Sequence, residues 1–282
     1  MKKPFTFNSH RIAALRFFIG CVGLLAFIAS QPASAAEPVL VLTFNNQHQQ
    51  FTRAELLHLP AVRSIVVVAD AAYKKTMTYR AIPLKSLVHD LNSVQAVQFK
   101  AEDGFAATIP AATLNGAAQP WLAIEPADAP WPPLKPGGRS AGAFYLVWLS
   151  PEKSGISPEQ WPYQISAISE TALLEDGHPQ ILPDPALPKN SAEYRGLQVY
   201  ATHCASCHRM NGAGDANVGP DLNIPMNPTV YFQAPFLRRY IRDPASVRTW
   251  PGMTMPGFPQ TVISDPQLDD LLAYLRGMAY RK

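Results

Sequence analysis

Two cysteines three residues apart, with a histidine directly behind them, stand at Cys204-Ala205-Ser206-Cys207-His208. On a helical turn, positions i, i+3 and i+4 share one face, so both thiols and the imidazole can meet a single partner. That grouping supports several chemistries. A disulfide needs only the two thiols. Zinc needs a second ligand pair at finger-like spacing, and none follows. A thioredoxin-type pair wants a strand ahead of it and a reactive first cysteine, not a histidine immediately after. The remaining chemistry uses all three side chains. Both thiols add across the vinyl groups of a porphyrin as thioethers, and the imidazole takes one axial position on the iron. Cys-x-x-Cys-His is the attachment signature of c-type haem, and we read Cys204, Cys207 and His208 in those roles.

The flanking residues must position that motif. Gly196, Tyr200 and Cys204 recur every four residues and line one side of a helix leading into it. A glycine-bearing loop, Gly212 to Asp215, follows, then Gly219-Pro220-Asp221-Leu222, then Met253-Thr254-Met255-Pro256. Leu268, Leu271, Leu272, Leu275 and Met278 form a helical stripe over Asp265 to Met278. This order of parts resembles a single-haem class I cytochrome c, over residues 190–282. The resemblance implies an all-α domain in which the Pro220 carbonyl accepts the Nδ1 proton of His208. It also implies that the methionine of a Met-Pro step is the second axial ligand. Met255 precedes proline and Met253 does not, so Met255 is expected, with Met253 as its close rival. A thioether ligand raises the reduction potential. Two protein ligands leave no open position on iron, so the implied role is electron transfer.

Residues 1–36 read as a secretory signal. Lys2, Lys3, Arg11 and Arg16 precede the apolar run Phe17 to Ala29, and Ala33-Ser34-Ala35 offers small residues for cleavage. The run is short for a membrane span, so membrane association is expected only if the signal stays uncleaved. Cys21 lacks a lipoprotein context because Phe18 stands where a small aliphatic residue is wanted. A cleaved chain keeps only Cys204 and Cys207, both claimed by haem. Bacterial c-type haem is attached outside the inner membrane, so the expected location is the periplasm.

The whole chain carries 24 basic and 21 acidic residues. The signal takes four of the basic ones, leaving a net charge of −1, and nucleic-acid binding has no support. Residues 37–189 hold 11 basic and 14 acidic side chains; residues 190–282 hold 9 and 7. Part of the positive excess of the second part is expected to be offset by haem propionates, with Arg238, Arg239 or Arg242 near them; as a surface it suits either a solvated face or a docking patch for an acidic partner.

Residues 37–175 read as an α+β domain with a strand majority. Strands are expected at Val39–Phe44, Ser64–Ala69, Met77–Ile82, Val94–Lys100, Phe105–Ile109, Ala143–Leu149 and Tyr163–Ile168. Thr52 and Glu55 form a capping box for a short helix, and Leu84, Leu87, Val88 and Leu91 have helical spacing. The proline-bearing stretch 176–189 reads as an extended linker. His48, His58 and His89 have no metal-ligand spacing. Trp121, Trp131, Trp148 and Trp161 suit a core or the Pro126 to Pro136 loop.

The segments Tyr79 to Leu87, Asp103-Gly104-Phe105, Phe144 to Trp148 and Gln160 to Tyr163 resemble the sulfite-oxidase-type molybdopterin-binding fold. In that family a cysteine thiolate ligates molybdenum. No cysteine lies between residues 37 and 203, so the resemblance implies the fold while molybdopterin is not expected. The expectation is therefore a periplasmic monohaem carrier between two redox proteins, its first domain a docking module. The alternative is an oxidoreductase whose first domain binds a pterin or other cofactor and passes electrons to the haem.

Overall fold

The computed structural model describes residues 37–88 and 90–281, so the expected signal and His89 lie outside the described residues. Strands β1 (Val39–Phe44) and β2 (Gln47–Thr52) pair antiparallel across the turn Asn45-Asn46, where both residues have positive φ. Asparagine tolerates that conformation, and such turns match the twist of a hairpin. The Thr52–Glu55 capping box opens α1 (Arg53–Leu57). Then come β3 (Arg63–Val67), β4 (Met77–Pro83), β5 (Ala96–Ala101), β6 (Ala106–Pro110), the single turn α2 (Ala111–Leu114), β7 (Pro120–Ile124), β8 (Phe144–Trp148) and β9 (Ile165–Thr171).

These strands form two sheets, of order β2-β1-β9-β5-β6 and β3-β4-β7-β8. The parallel β1–β9 pair joins the first strand to the last. One core lies between the sheets, with Leu40, Phe99 and Ile168 from the first meeting Tyr79, Leu122, Leu146 and Trp148 from the second. Every residue of β8 is buried. Trp131 and Trp161 also belong to this core, and Trp121 packs at its edge.

The helix expected at Leu84–Leu91 is a correction. Only Leu84–Ser86 is helical, as one 3-10 turn. Leu84, Val88 and Leu91 are buried as their spacing demands, but Asp90 takes a φ of 58° and breaks the run. Burial every three or four residues was achieved by a turn rather than a helix.

The remaining residues form a helical lobe. It comprises α3 (Leu174–Gly177), α4 (Ala192–His203), α5 (Pro228–Tyr231), α6 (Ala234–Arg242) and α7 (Asp265–Met278). Helices α4 and α7 cross at Gly196, where a Cβ would collide with the Asp270 carbonyl and the Tyr274 side chain. Leu197 and Tyr200 meet Leu268, Leu271, Leu272 and Leu275 in a second core. Each such buried side chain contributes about 1.5–3 kcal/mol.

The proline-bearing stretch does not run free. Ile181 is fully buried in the helical core, and its carbonyl accepts from the Tyr274 hydroxyl at 2.8 Å. Gln180 and Leu182 give their carbonyls to Asn211 and Arg281. The two cores belong to one compact unit, residues 37–282.

Candidate haem-attachment site

Helix α4 begins at Ser191, whose side chain accepts from the Tyr194 amide, and ends with Cys204 as its C-cap. The motif therefore lies just past the helix. It keeps a helical turn all the same, since the His208 amide donates to the Cys204 carbonyl at 2.8 Å and the Cys207 amide to the same oxygen at 3.0 Å. This i to i+4 turn brings Cys204, Cys207 and His208 together. The Tyr200 hydroxyl donates to the His208 carbonyl at 2.9 Å and fastens the end of the motif to the helix.

His208 is oriented from its far side. Its Nδ1 lies 2.7 Å from the Pro220 carbonyl, which can only accept, so Nδ1 carries the proton. Nε2 is then left with its lone pair. Burial lowers the pKa of this imidazole, opposed by the Pro220 hydrogen bond and by Asp221. A neutral imidazole presenting Nε2 is the form that binds a metal. Gly219 lies flat against the ring, and a Cβ there would overlap Cε1 and Nδ1 of His208. Only glycine lets the chain pass so close.

The turn that carries Pro220 is itself held. Asp221 accepts from the amides of Asn211, Gly212, Asn223 and Ile224. Asn223 and Asn227 are buried and donate to the Leu275 and Met278 carbonyls in the last turn of α7, and Asn223 also to the Arg281 carbonyl beyond it. These bonds satisfy helix-end acceptors and tie the Pro220 loop to the same helix that packs on α4.

Both cysteines are free thiols. Burial, with Glu159 and Cys207 adding, pushes the Cys204 thiol well up. Burial also pushes Cys207 up to about 11, with Asp103 and Glu159 contributing. A reactive or zinc-bound cysteine needs the opposite, an electropositive setting that favours the thiolate. No cluster of three or more His, Cys, Asp or Glu side chains suited to a metal occurs among the described residues.

The residues present fit a haem. Ile224, Met226, Val230, Tyr231 and Trp250 lie in the segment between His208 and Met255 and expose large apolar surface, which a flat apolar macrocycle can cover. Arg209, next to His208, has a buried Nε with no hydrogen-bond partner and can serve an anionic substituent. Met255 is half-buried and packs on the helical core; Met253 is also half-buried and follows a turn from the Trp250 carbonyl.

The three arginines expected near propionates are committed elsewhere. Arg238 pairs with Asp269, Arg242 with Asp265 and the Phe258 carbonyl, and Arg239 donates to Ser246. Arg209 was missed because nothing in its local sequence marks a buried donor. Of the first-domain histidines, His48 lies against the Thr43 hydroxyl at 3.0 Å and His58 caps α1 through the Ala54 carbonyl.

The strand-rich lobe reaches the motif directly. The Ala106 amide donates to the carbonyl of Ser206, inside the motif, at 3.0 Å. Asn217 donates its amide to Gly104 at 2.9 Å, and Gln98 donates to Asp215 at 2.7 Å. The β5–β6 hairpin thus sits on the attachment loop, and Glu159 meets His203, one residue before Cys204, at 3.1 Å.

A search of curated proteins found no match to the chain. The family model Cytochrome c matches residues 194–279, so the stretch that carries this site is a cytochrome c domain, which implies covalently bound haem c and haem-based electron transfer.

Proposed function

We propose that the chain is an exported, periplasmic monohaem carrier that moves single electrons between two redox proteins. Cys204 and Cys207 would hold the haem, and His208 through Nε2 and Met255 through sulfur would ligate its iron. When bound, the haem supplies a one-electron couple. The protein's residues orient it, exclude water and set its potential. The observation that carries this reading is the His208–Pro220 hydrogen bond behind a helical Cys-x-x-Cys-His turn. It fixes the imidazole tautomer before any metal is considered.

The strand-rich lobe, in this reading, has the sulfite-oxidase-type fold without its cysteine, carries no molybdopterin, and serves as a docking module for a donor or acceptor. Its contacts with the attachment loop support that role, because a partner seated on this lobe is brought close to the haem. Among the described residues no helix is long and apolar enough to cross a membrane, and export rests on the leader.

Stopped-flow kinetics test the proposal. The reduced, haem-loaded chain is mixed with oxidised redox proteins from the periplasm of its own host. A carrier is reoxidised rapidly in a second-order reaction that slows with added salt, as charged docking requires. Slow exchange with every such protein contradicts the reading and points instead to a haem that only reports redox state.

A further inference from the structure

Charge is unevenly spread over the strand-rich lobe. Residues 53–85, which span α1, β3 and β4, carry Arg53, Arg63, Lys74, Lys75, Arg80 and Lys85 against Glu55 and Asp70. Residues 86–189 reverse the balance, with 5 basic and 11 acidic side chains. Both acids of the basic stretch are committed internally. Glu55 accepts from the Thr52 amide and hydroxyl in the capping box. Asp70 is buried and accepts from the Ala72 and Tyr73 amides and from the Tyr79 and Tyr145 hydroxyls. None of the six cations takes part in an ion pair among the described residues.

The same stretch holds an open sheet edge. β3 is the terminal strand of its four-stranded sheet and pairs with β4 on one side. Side chains alternate across a strand, so Ile65 and Val67 enter the core while Ser64 and Val66, with Val68 just beyond, face outward. Val66 is 55% exposed and Val68 74%. Lys74 and Lys75 stand exposed on the turn that joins β3 to β4. The other three edges differ. The Ala106 amide of β6 donates to the Ser206 carbonyl, Tyr145 of β8 bridges to Tyr163, and β2 exposes polar side chains without a cation. Unpaired N–H and C=O groups along an edge are a template for another strand. Cations set within an edge strand discourage such pairing, but here Arg63 opens the strand, the lysines lie past its end, and valines occupy the span between them.

We propose that the outer edge of β3 receives an extended, acidic segment of a redox partner, which adds to the sheet as one more strand. The inference rests on the docking reading of this lobe and gives the partner's chemistry. Main-chain hydrogen bonds to β3 hold the segment, its apolar residues cover Val66 and Val68, and its carboxylates meet Arg63, Lys74 and Lys75. A second copy of the chain suits the edge poorly, because edge-to-edge pairing sets two basic hairpins against each other.

The test uses the haem-loaded full chain and a short capped peptide of alternating glutamate and valine. Fluorescence anisotropy of the labelled peptide reads affinity, and amide hydrogen exchange reads the place of binding. The expected result is binding that slows exchange over residues 63–68 and weakens with added salt. Lysine in place of glutamate weakens binding about tenfold or more, and proline at alternate positions, which removes the donors, abolishes it. Lys74→Asn with Lys75→Gln weakens it about tenfold; Lys74 has a φ of 56°, which asparagine tolerates. Protection of β3 is measured on the unsubstituted chain, whatever the variants do to folding. No binding, binding without slower exchange in β3, or equal binding of the lysine peptide overturns the proposal. So does sedimentation of the free chain as a dimer with β3 already protected, which assigns the edge to a second copy. Capture of the chain by phosphatidylglycerol vesicles without peptide binding assigns it to a membrane surface and overturns the proposal too. Failure of the peptide beside rapid reoxidation by a periplasmic redox protein overturns this seat alone, whereas slow exchange with every such protein overturns the docking reading and this proposal with it.

Discussion

Replacing Cys204 and Cys207 together by alanine removes covalent haem from the chain completely. A denaturing gel stained for haem shows a band for the exported parent chain and none for the variant. The geometry makes the loss total. The two thiols are the chain's cysteines outside residues 1–36, and the helical turn at Cys204–His208 sets them on one ligand with His208. His208 keeps its Pro220 hydrogen bond in the variant and can still coordinate iron, but a coordinate bond does not survive denaturation. Single substitutions leave one thioether and a weaker band. Covalent haem persisting in the double variant would end the thioether account.

Met255→Ala has the next largest effect. The oxidised parent shows a methionine-to-iron charge-transfer band, and the variant lacks it while its haem stays covalently attached. The midpoint potential falls, within the range of about 0.8 V that axial ligands span, because the thioether favours ferrous iron. Met253→Ala leaves both quantities near those of the parent. The residues are two positions apart and both half-buried, so burial class does not choose between them. Met255 packs on the helical core and precedes Pro256. Loss of the band in the Met253 variant, with retention in the Met255 variant, reverses the assignment.

Local pattern revealed what local physics controls. The Leu268 to Met278 stripe is the buried face of α7, and the Glu102-Asp103-Gly104 turn lies between the antiparallel strands β5 and β6. Two strands escaped notice for different reasons. β2 is Gln-His-Gln-Gln-Phe-Thr, an edge strand with no buried residue and hence no alternation to detect; the Asn45-Asn46 turn was its one signal. β7 opens on Pro120, which reads as a strand breaker until it is placed at a strand's first residue. Helical spacing at Leu84 to Leu91 reported burial correctly and conformation incorrectly.

The candidate site divides the same way. Cys204, Cys207 and His208 are contiguous, so their meeting was legible. The Glu159–His203 pair spans 44 residues, and the pairing of Arg238 and Arg242 with Asp269 and Asp265 spans up to 31. Such contacts depend on how elements pack, which composition and periodicity do not encode. The burial of Ile181 belongs to the same class: its proline-rich surroundings signal an extended chain but not the surface that the chain covers.

The most direct test of the central claim is the iron and molybdenum content of the full chain, purified from the periplasm of its own host. One iron and no molybdenum per chain, with the iron accounted for by covalent haem, is the expected result for a monohaem electron carrier. Stoichiometric molybdenum beside the iron, or a chain without iron, contradicts it.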